Sequence, residues 1–315
     1  MRIDVTRLLS QKKNAAPPRP APYKGPNIKS LFLPDEGWIV ADTDLAQADA
    51  RVVAWEADDD ELMQMFLDPT VDLHTENART IFGTCPDKSH PNRKKAKAGV
   101  HAVNYHVGAR TLAKALGITV HEADMFIQRW FSAHPKIKAW HNRIYDEMVN
   151  RRYIENAFGF RKAFFAKTDG PTALSEALAW IPQSTVGNII NIAWMRMDLL
   201  RAEEAYVSMQ VHDSLVSFHN KDYAYDTLPY LHEAMLVEVP YQKPLTIPTS
   251  LEVSEKNIGQ LLAVDWDGCI LDTDTGARTQ SFWEHWPSKR HGFTQPQGTN
   301  HGLSFLAHKG IGSNT

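Results

Sequence analysis

Residues 207–218 read Val-Ser-Met-Gln-Val-His-Asp-Ser-Leu-Val-Ser-Phe, and this stretch constrains the fold more than any other. Two half-alternating, strand-forming runs flank a polar His212-Asp213 pair. That pattern predicts a β-hairpin with a carboxylate at its tip, and so an antiparallel sheet. An Asp on a rigid hairpin can hold one side of a divalent metal pair if a second Asp faces it. Asp44 is the candidate for that role, because it follows the apolar run Trp38-Ile39-Val40-Ala41, where a buried strand would end. Read singly, each Asp is equally a turn or strand-end residue.

The rest of the patterned chain is mostly helical. Helices are expected over residues 45–60, 60–66 and 75–82, the last closed by Gly83, then over 92–105 and over 110–116, closed by Gly117. Residues 121–149 are strongly amphipathic, with Pro135 dividing two helices. Residues 156–165 read as a turn with short strands around Gly159, and residues 172–204 as helix broken or kinked at Pro182. After the hairpin come a helix at 223–237 and a strand at 251–253. Residues 14–26 contain Ala-Ala-Pro-Pro-Arg-Pro-Ala-Pro, an extended arm. Beyond residue 263 the periodicity fades, and no motif is visible.

A chain of 315 residues has room for a proper core in one large or two moderate domains. Its net charge of -3 does not announce a nucleic-acid binder, so any attraction to phosphate must come from local clusters. Its two cysteines, Cys85 and Cys269, fall outside Cys-x-x-Cys spacing, which argues against a disulfide scaffold or zinc ribbon and fits a reducing cytoplasm. There is no membrane-length apolar run and no signal peptide after Met1.

One local cluster is conspicuous. Arg93, Lys97, His101 and Tyr105 recur every four residues and would form one stripe on a helix. Arg93 and Lys97 suit phosphates; His101 and Tyr105, one and two turns on, suit a sugar and a base. Arg and Lys alone would read as a solvated basic face. Gly99 inside this helix costs about 1 kcal/mol relative to Ala, which points to close packing against its backbone.

Taken together these residues resemble the family A (polymerase I-like) DNA polymerases, particularly the phage type. Asp44-Leu45-Ala46-Gln47-Ala48-Asp49-Ala50-Arg51 is similar to the family's first catalytic motif, Asp-Tyr-Ser-Gln-Ile-Glu-Leu-Arg. Arg93 through Tyr105 is similar to its fingers helix, Arg-x-x-x-Lys-x-x-x-Phe-x-x-x-Tyr, and Gln210-Val211-His212-Asp213 to its second catalytic motif, Gln-Val-His-Asp-Glu. Asp72-Leu73-His74-Thr75 resembles its Asp-Ile-His-Thr segment, and Pro182-Gln183-Ser184-Thr185 the helix that touches template and primer. The likeness runs from about residue 26 to 262.

The resemblance implies an α+β fold: a polymerase right-hand palm, an antiparallel sheet with the catalytic hairpin, plus helical fingers, lacking thumb and exonuclease domains. It implies template-directed DNA synthesis by two-metal nucleotidyl transfer. Asp44 and Asp213, with the Leu45 carbonyl, would ligate two Mg²⁺ ions, for which Mn²⁺ could substitute. Arg93 and Lys97 would meet the triphosphate of the incoming dNTP, with Lys97 counted among the catalytic groups. His101 and Tyr105 would wall its sugar and base, and Gln47 and Asp49 would floor the sugar. Arg51, Gln183 and His212 would surround the primer terminus.

Several positions depart from the family pattern: His101 replaces Phe or Tyr, Asp49 replaces Glu, Ser214 replaces the Glu after the second catalytic Asp, and His106 replaces a Gly. Asp42 is a second possible carboxylate beside Asp44; Asp44 is favoured because it puts Gln47 and Arg51 in register. The expected organisation is an arm over residues 1–26, palm with the start of the fingers over 27–91, fingers over 92–155, palm again over 156–262, and an extension over 263–315. Partners would be primer-template DNA and a second polypeptide carrying a thumb and a 3′-5′ exonuclease, in the cytoplasm, with no membrane. Two other readings stand beside this one: a non-catalytic replisome-binding remnant, and an HD-type metal phosphohydrolase, against which the β-branched surroundings of His212-Asp213 count.

Overall fold

The computed structural model describes residues 28–165, 170–264, 269–271 and 278–281. The expected Pro-rich arm and most of the extension past 263 lie outside the described residues. In chain order the elements are β1 (Trp38–Leu45), α1 (Ala48–Glu56), α2 (Asp60–Leu67), α3 (Leu73–Phe82), α4 (Pro91–Asn104), α5 (Ala109–Leu116), α6 (Val120–Ala133) and α7 (Pro135–Arg151). They continue with β2 (Tyr153–Glu155), β3 (Arg161–Ala163), α8 (Pro171–Met197), β4 (Ala205–Val211), β5 (Ser214–Asn220), α9 (Ala224–Met235), β6 (Glu238–Val239), β7 (Leu245–Thr246), β8 (Thr249–Ser254), β9 (Leu262–Val264), β10 (Cys269–Leu271) and β11 (Arg278–Ser281). The fold is α+β, as the resemblance implies.

The punctuation that ends each helix is local. Asp59 and Asp72 accept from the Leu62 and Thr75 amides and so cap α2 and α3, Thr119 and Glu122 form a capping box on α6, and Pro91 and Pro135 open α4 and α7. Gly83 and Gly117 close α3 and α5 at φ 77° and 65°, a conformation that a Cβ penalises. Of the break or kink expected at Pro182, the break is absent, and α8 runs from Pro171 to Met197 through it. The proline is buried, and just after it the Ser184 and Thr185 hydroxyls donate to the Ile181 carbonyl at 3.2 and 2.8 Å. Packing on both flanks outweighs the lost backbone bond.

The main sheet has the order β11-β10-β9-β8-β1-β5-β4. Every recorded pairing in it is antiparallel. Strand β1 lies between β5 and β8, so the sequence-distant runs at 38–45, 214–220 and 249–254 become neighbours. Ile39, Ala41 and Leu45 of β1 join the large core shared with α1, α7, α8 and α9, along with Leu215, Leu251 and Val253. Val40 faces the other way, into a small cluster with Val216, Phe218 and Ile258. Past that cluster the same face of β1 carries Asp42 and Asp44, by the two-residue alternation of a strand. Strands β9 to β11 come from a stretch with no visible periodicity and extend the sheet beyond β8.

Inside the main sheet, His219 is fully buried between Ser217 and Thr227, each 2.8 Å from a ring nitrogen. Thr227 spends its proton on the Tyr223 carbonyl, so it accepts from Nδ1, and Nε2 accepts from Ser217. Burial pulls the His219 pKa from 6.5 to about 3. The folded state thus disfavours the charged ring: its contribution is complete above pH 6.5 and lost as pH falls from there toward 3. Urea melts of the native chain and His219→Gln are expected to differ in slope over that window. Identical pH profiles would contradict the assignment. Among the described residues, no helix is long and apolar enough to cross a membrane.

Candidate active site

The two acidic side chains expected to converge do so. Asp44 stands opposite Ser214 in the β1–β5 ladder, and the Leu45 amide donates to the Asp213 carbonyl at 3.0 Å. Asp213 is the second residue of a two-residue turn between β4 and β5. Strand β1 does not end at Ala41 but runs on through Leu45, so Asp44 rides on paired backbone on both sides. Partial burial, and then Asp213 itself within hydrogen-bonding reach, push the Asp44 pKa up to about 7. Asp42 and Glu252 add to the repulsion. Among the described residues no group of three or more His, Cys, Asp or Glu could hold a metal by itself. Two crowded carboxylates nonetheless suit a hard cation such as Mg²⁺, which commonly takes one or two carboxylates and completes its shell with substrate and water.

Strain flanks both carboxylates. Gln47 (φ 54°), three residues after Asp44, and His212 (φ 57°), immediately before Asp213, are left-handed non-glycine residues. Such conformations cost on the order of 1 kcal/mol each and persist only where the surroundings fix them. The Gln210 amide donates to the His212 carbonyl at 3.3 Å, one of the bonds that hold the turn.

The cationic stripe is real and leads to this place. Lys97 and His101 are exposed on α4, and Arg93 and Tyr105 are half-buried. The Tyr105 hydroxyl donates to Asp49 at 2.6 Å, joining the end of α4 to the first turn of α1, just past the Asp44 strand. Burial and the Asp49 charge hold the Tyr105 phenol well above its ordinary range. The His101 ring meets Tyr105 edge-on, with centroids 4.7 Å apart. The foot of α4 is pinned by Asn104, whose side chain accepts from Trp130 Nε1 at 3.0 Å and whose carbonyl accepts from His141 Nε2 at 2.9 Å. Two residues on, His106 has φ 61°, the geometry for which the family pattern places glycine.

The other expected residues fall as follows. Gln183 and His212 are exposed. Arg51 is 9% exposed, with its guanidinium donating to the Ala46 and Phe66 carbonyls and lying over the Phe66 ring. It therefore braces the Ala46-Gln47 loop from inside rather than presenting itself to a ligand. Two residues singled out only as motif letters also belong here. His74 is half-buried, and burial, then Lys97 and Arg93, lower its pKa to about 4. Asp72 pairs with Arg93 through two bonds of 2.8 and 2.7 Å. The Asp-Leu-His-Thr segment was a signal for both, but nothing in its spacing places it beside α4.

Comparison with known proteins identifies the family and the fold. A family model described as DNA polymerase family A matches residues 6–258, beginning ahead of the edge that the motifs suggested. The thermostable DNA polymerase I of Thermus filiformis is 32% identical over 236 residues, covering 73% of this chain and 28% of that protein. DNA polymerase I of Bacillus caldotenax is 29% identical over 234 residues, covering 71% of this chain and 27% of that one. The chain thus spans little more than a quarter of the length of these relatives. In fold it is similar to the POL domain of Pol1 from M. smegmatis, solved in complex with DNA primer-template and dNTP, with a TM-score of 0.64 at 22% identity over 73% of this chain and 42% of that chain.

Proposed function

The chain belongs to DNA polymerase family A, and on that premise we propose that it carries out template-directed DNA synthesis by two-metal nucleotidyl transfer. The observation that carries the reading is the meeting of Asp44 and Asp213 at the foot of a cationic helix tied to their sheet by Tyr105 and Asp49. In this reading residues 27–91 and 156–262 form the palm, and residues 92–155 the fingers. Asp44, Asp213 and the Leu45 carbonyl hold Mg²⁺. When bound, the ions would acidify the primer hydroxyl and neutralise charge on the triphosphate. Lys97, Arg93 and His74 receive the phosphates. Tyr105 and Asp49, locked to each other, wall the sugar, with Gln47 beneath and His101 alongside. Gln183 and His212 face the primer-template, while Arg51 acts on it by fixing the Gln47 loop.

The reading also includes a second polypeptide that grips the duplex as a thumb. Primer extension with Mg²⁺ tests both parts. Addition of only the nucleotide complementary to the template, with short products from the chain alone, is expected. Template-independent release of phosphate would favour a phosphohydrolase, and DNA binding without incorporation a replisome-binding remnant. Long, processive products from the purified chain alone would overturn the second polypeptide.

A further inference from the structure

Asp72 does two jobs with one carboxylate. Its Oδ1 accepts from the Thr75 amide at 2.8 Å and the Thr75 hydroxyl at 2.7 Å, capping α3. The same Oδ1 accepts from Arg93 Nε at 2.8 Å, and Oδ2 accepts from Arg93 Nη2 at 2.7 Å. The two elements joined in this way, α3 and α4, carry His74 and Lys97, and the charges of Arg93, Lys97 and Asp72 all act on His74. Asp72 is therefore the anion of an otherwise cationic cradle.

A guanidinium has five N–H donors in a rigid fork. A clamp along the Nε–Nη2 edge spends two and turns the remaining end in a fixed direction. The ordering of a long, flexible side chain is then settled before any ligand arrives. The clamp also weakens the attraction of Arg93 for a lone anion, because a carboxylate already sits on it. A ligand gains most if it reaches His74 and Lys97 as well, as a triphosphate chain can.

We propose that Asp72 is a positioning residue for the triphosphate: it holds the Arg93 fork in the orientation that recognition requires, at some cost to phosphate affinity. This rests on the nucleotide-binding reading given above. Asp72→Asn is the decisive variant, because Asn caps a helix as well as Asp does, so α3 is kept while the charge is removed. Two quantities are to be measured on the full chain: inorganic tripolyphosphate binding by calorimetry, and single-turnover incorporation at saturating dNTP. Removing the negative charge should tighten tripolyphosphate binding by about threefold, while losing the fixed fork should slow incorporation by about tenfold. Thr75→Val, which loses the hydroxyl bond but keeps the clamp, should lower urea stability without that split.

If Asp72→Asn leaves both quantities unchanged, or lowers both in step with stability as Thr75→Val does, Asp72 is only a structural link and the proposal fails. A native chain that shows no template-directed incorporation would instead sink the polymerase reading. Tripolyphosphate binding to the native chain and Asp72→Asn would then still decide whether the carboxylate opposes phosphate at Arg93.

Discussion

Asp213→Ala is expected, on the proposed two-metal reading, to lower template-directed incorporation about a thousandfold, the loss that follows when several kcal/mol of charge stabilisation at a reaction centre disappear. The chain should remain folded. Asp213 occupies a two-residue turn whose geometry is set by the β4–β5 ladder, and the Leu45 amide bonds to its backbone carbonyl, which alanine retains. Losing the carboxylate also removes a repulsive neighbour of Asp44, so the Asp44 pKa should fall from about 7 toward the ordinary range. Without divalent ions, the variant at pH 8 should therefore melt no lower than the native chain. The two readouts separate chemistry from folding: incorporation falls while thermal stability holds or rises. Equal incorporation by Asp213→Ala and the native chain would remove the catalytic role of the pair. A variant that is inactive because it is unfolded would show in the melt.

Gly99→Ala is expected to destabilise the chain by about 2 kcal/mol, the usual scale of overpacking in a closed core. Helix propensity alone points the other way, since alanine is favoured over glycine by about 1 kcal/mol within a helix. Space decides between them. A Cβ on Gly99 would lie 2.4 Å from Phe126 Cζ and 2.8 Å from Cε2, closer than any real contact. The Phe126 ring is 2% exposed and meets Phe82 edge-on at 5.6 Å, so it has nowhere to swing. Either α4 moves away from α6, or the ring leaves its rotamer. Urea unfolding measures the loss, and shortening the obstacle with Phe126→Leu in the Gly99→Ala background should recover part of it. A Gly99→Ala chain as stable as the native one would mean that the helices separate freely. The carboxylate-lined sheet would then have no fixed relation to Lys97 and His101 on α4.

How much of this could be read from the sequence varies with the range of the forces involved. The helices α2 to α7 were legible because their signals are local: Pro91, Pro135, Gly83 and Gly117 act within a turn of their own position. The pairing of Asp44 with Asp213 was legible because each lies beside a strand-forming run, and Gly99 because an exposed helix has no reason to carry glycine. Other features depend on distant partners. Pro182 was read as a break or a kink, and what keeps the helix from breaking is packing that no window around it contains. Strands β9 to β11 join a sheet edge through backbone bonds, which leave no trace in side-chain pattern. The Arg93 stripe was read as a row suited to phosphates, a sugar and a base. That its first member is clamped by Asp72, and that His74 stands beside Lys97, depends on how α3 packs against α4.

The position of β1 has a consequence for biosynthesis. Trp38–Leu45 emerges from the ribosome well before its two sheet neighbours, Ser214–Asn220 and Thr249–Ser254. The intervening helices can form by short-range contacts in the meantime, whereas the strand waits with both edges open, and such long-range closures are slow. The nascent chain therefore carries its helical half in place before any acidic pair exists. The meeting of Asp44 and Asp213 arrives in one late event, and a chain cut short before residue 214 would leave an unpartnered, apolar strand prone to aggregation.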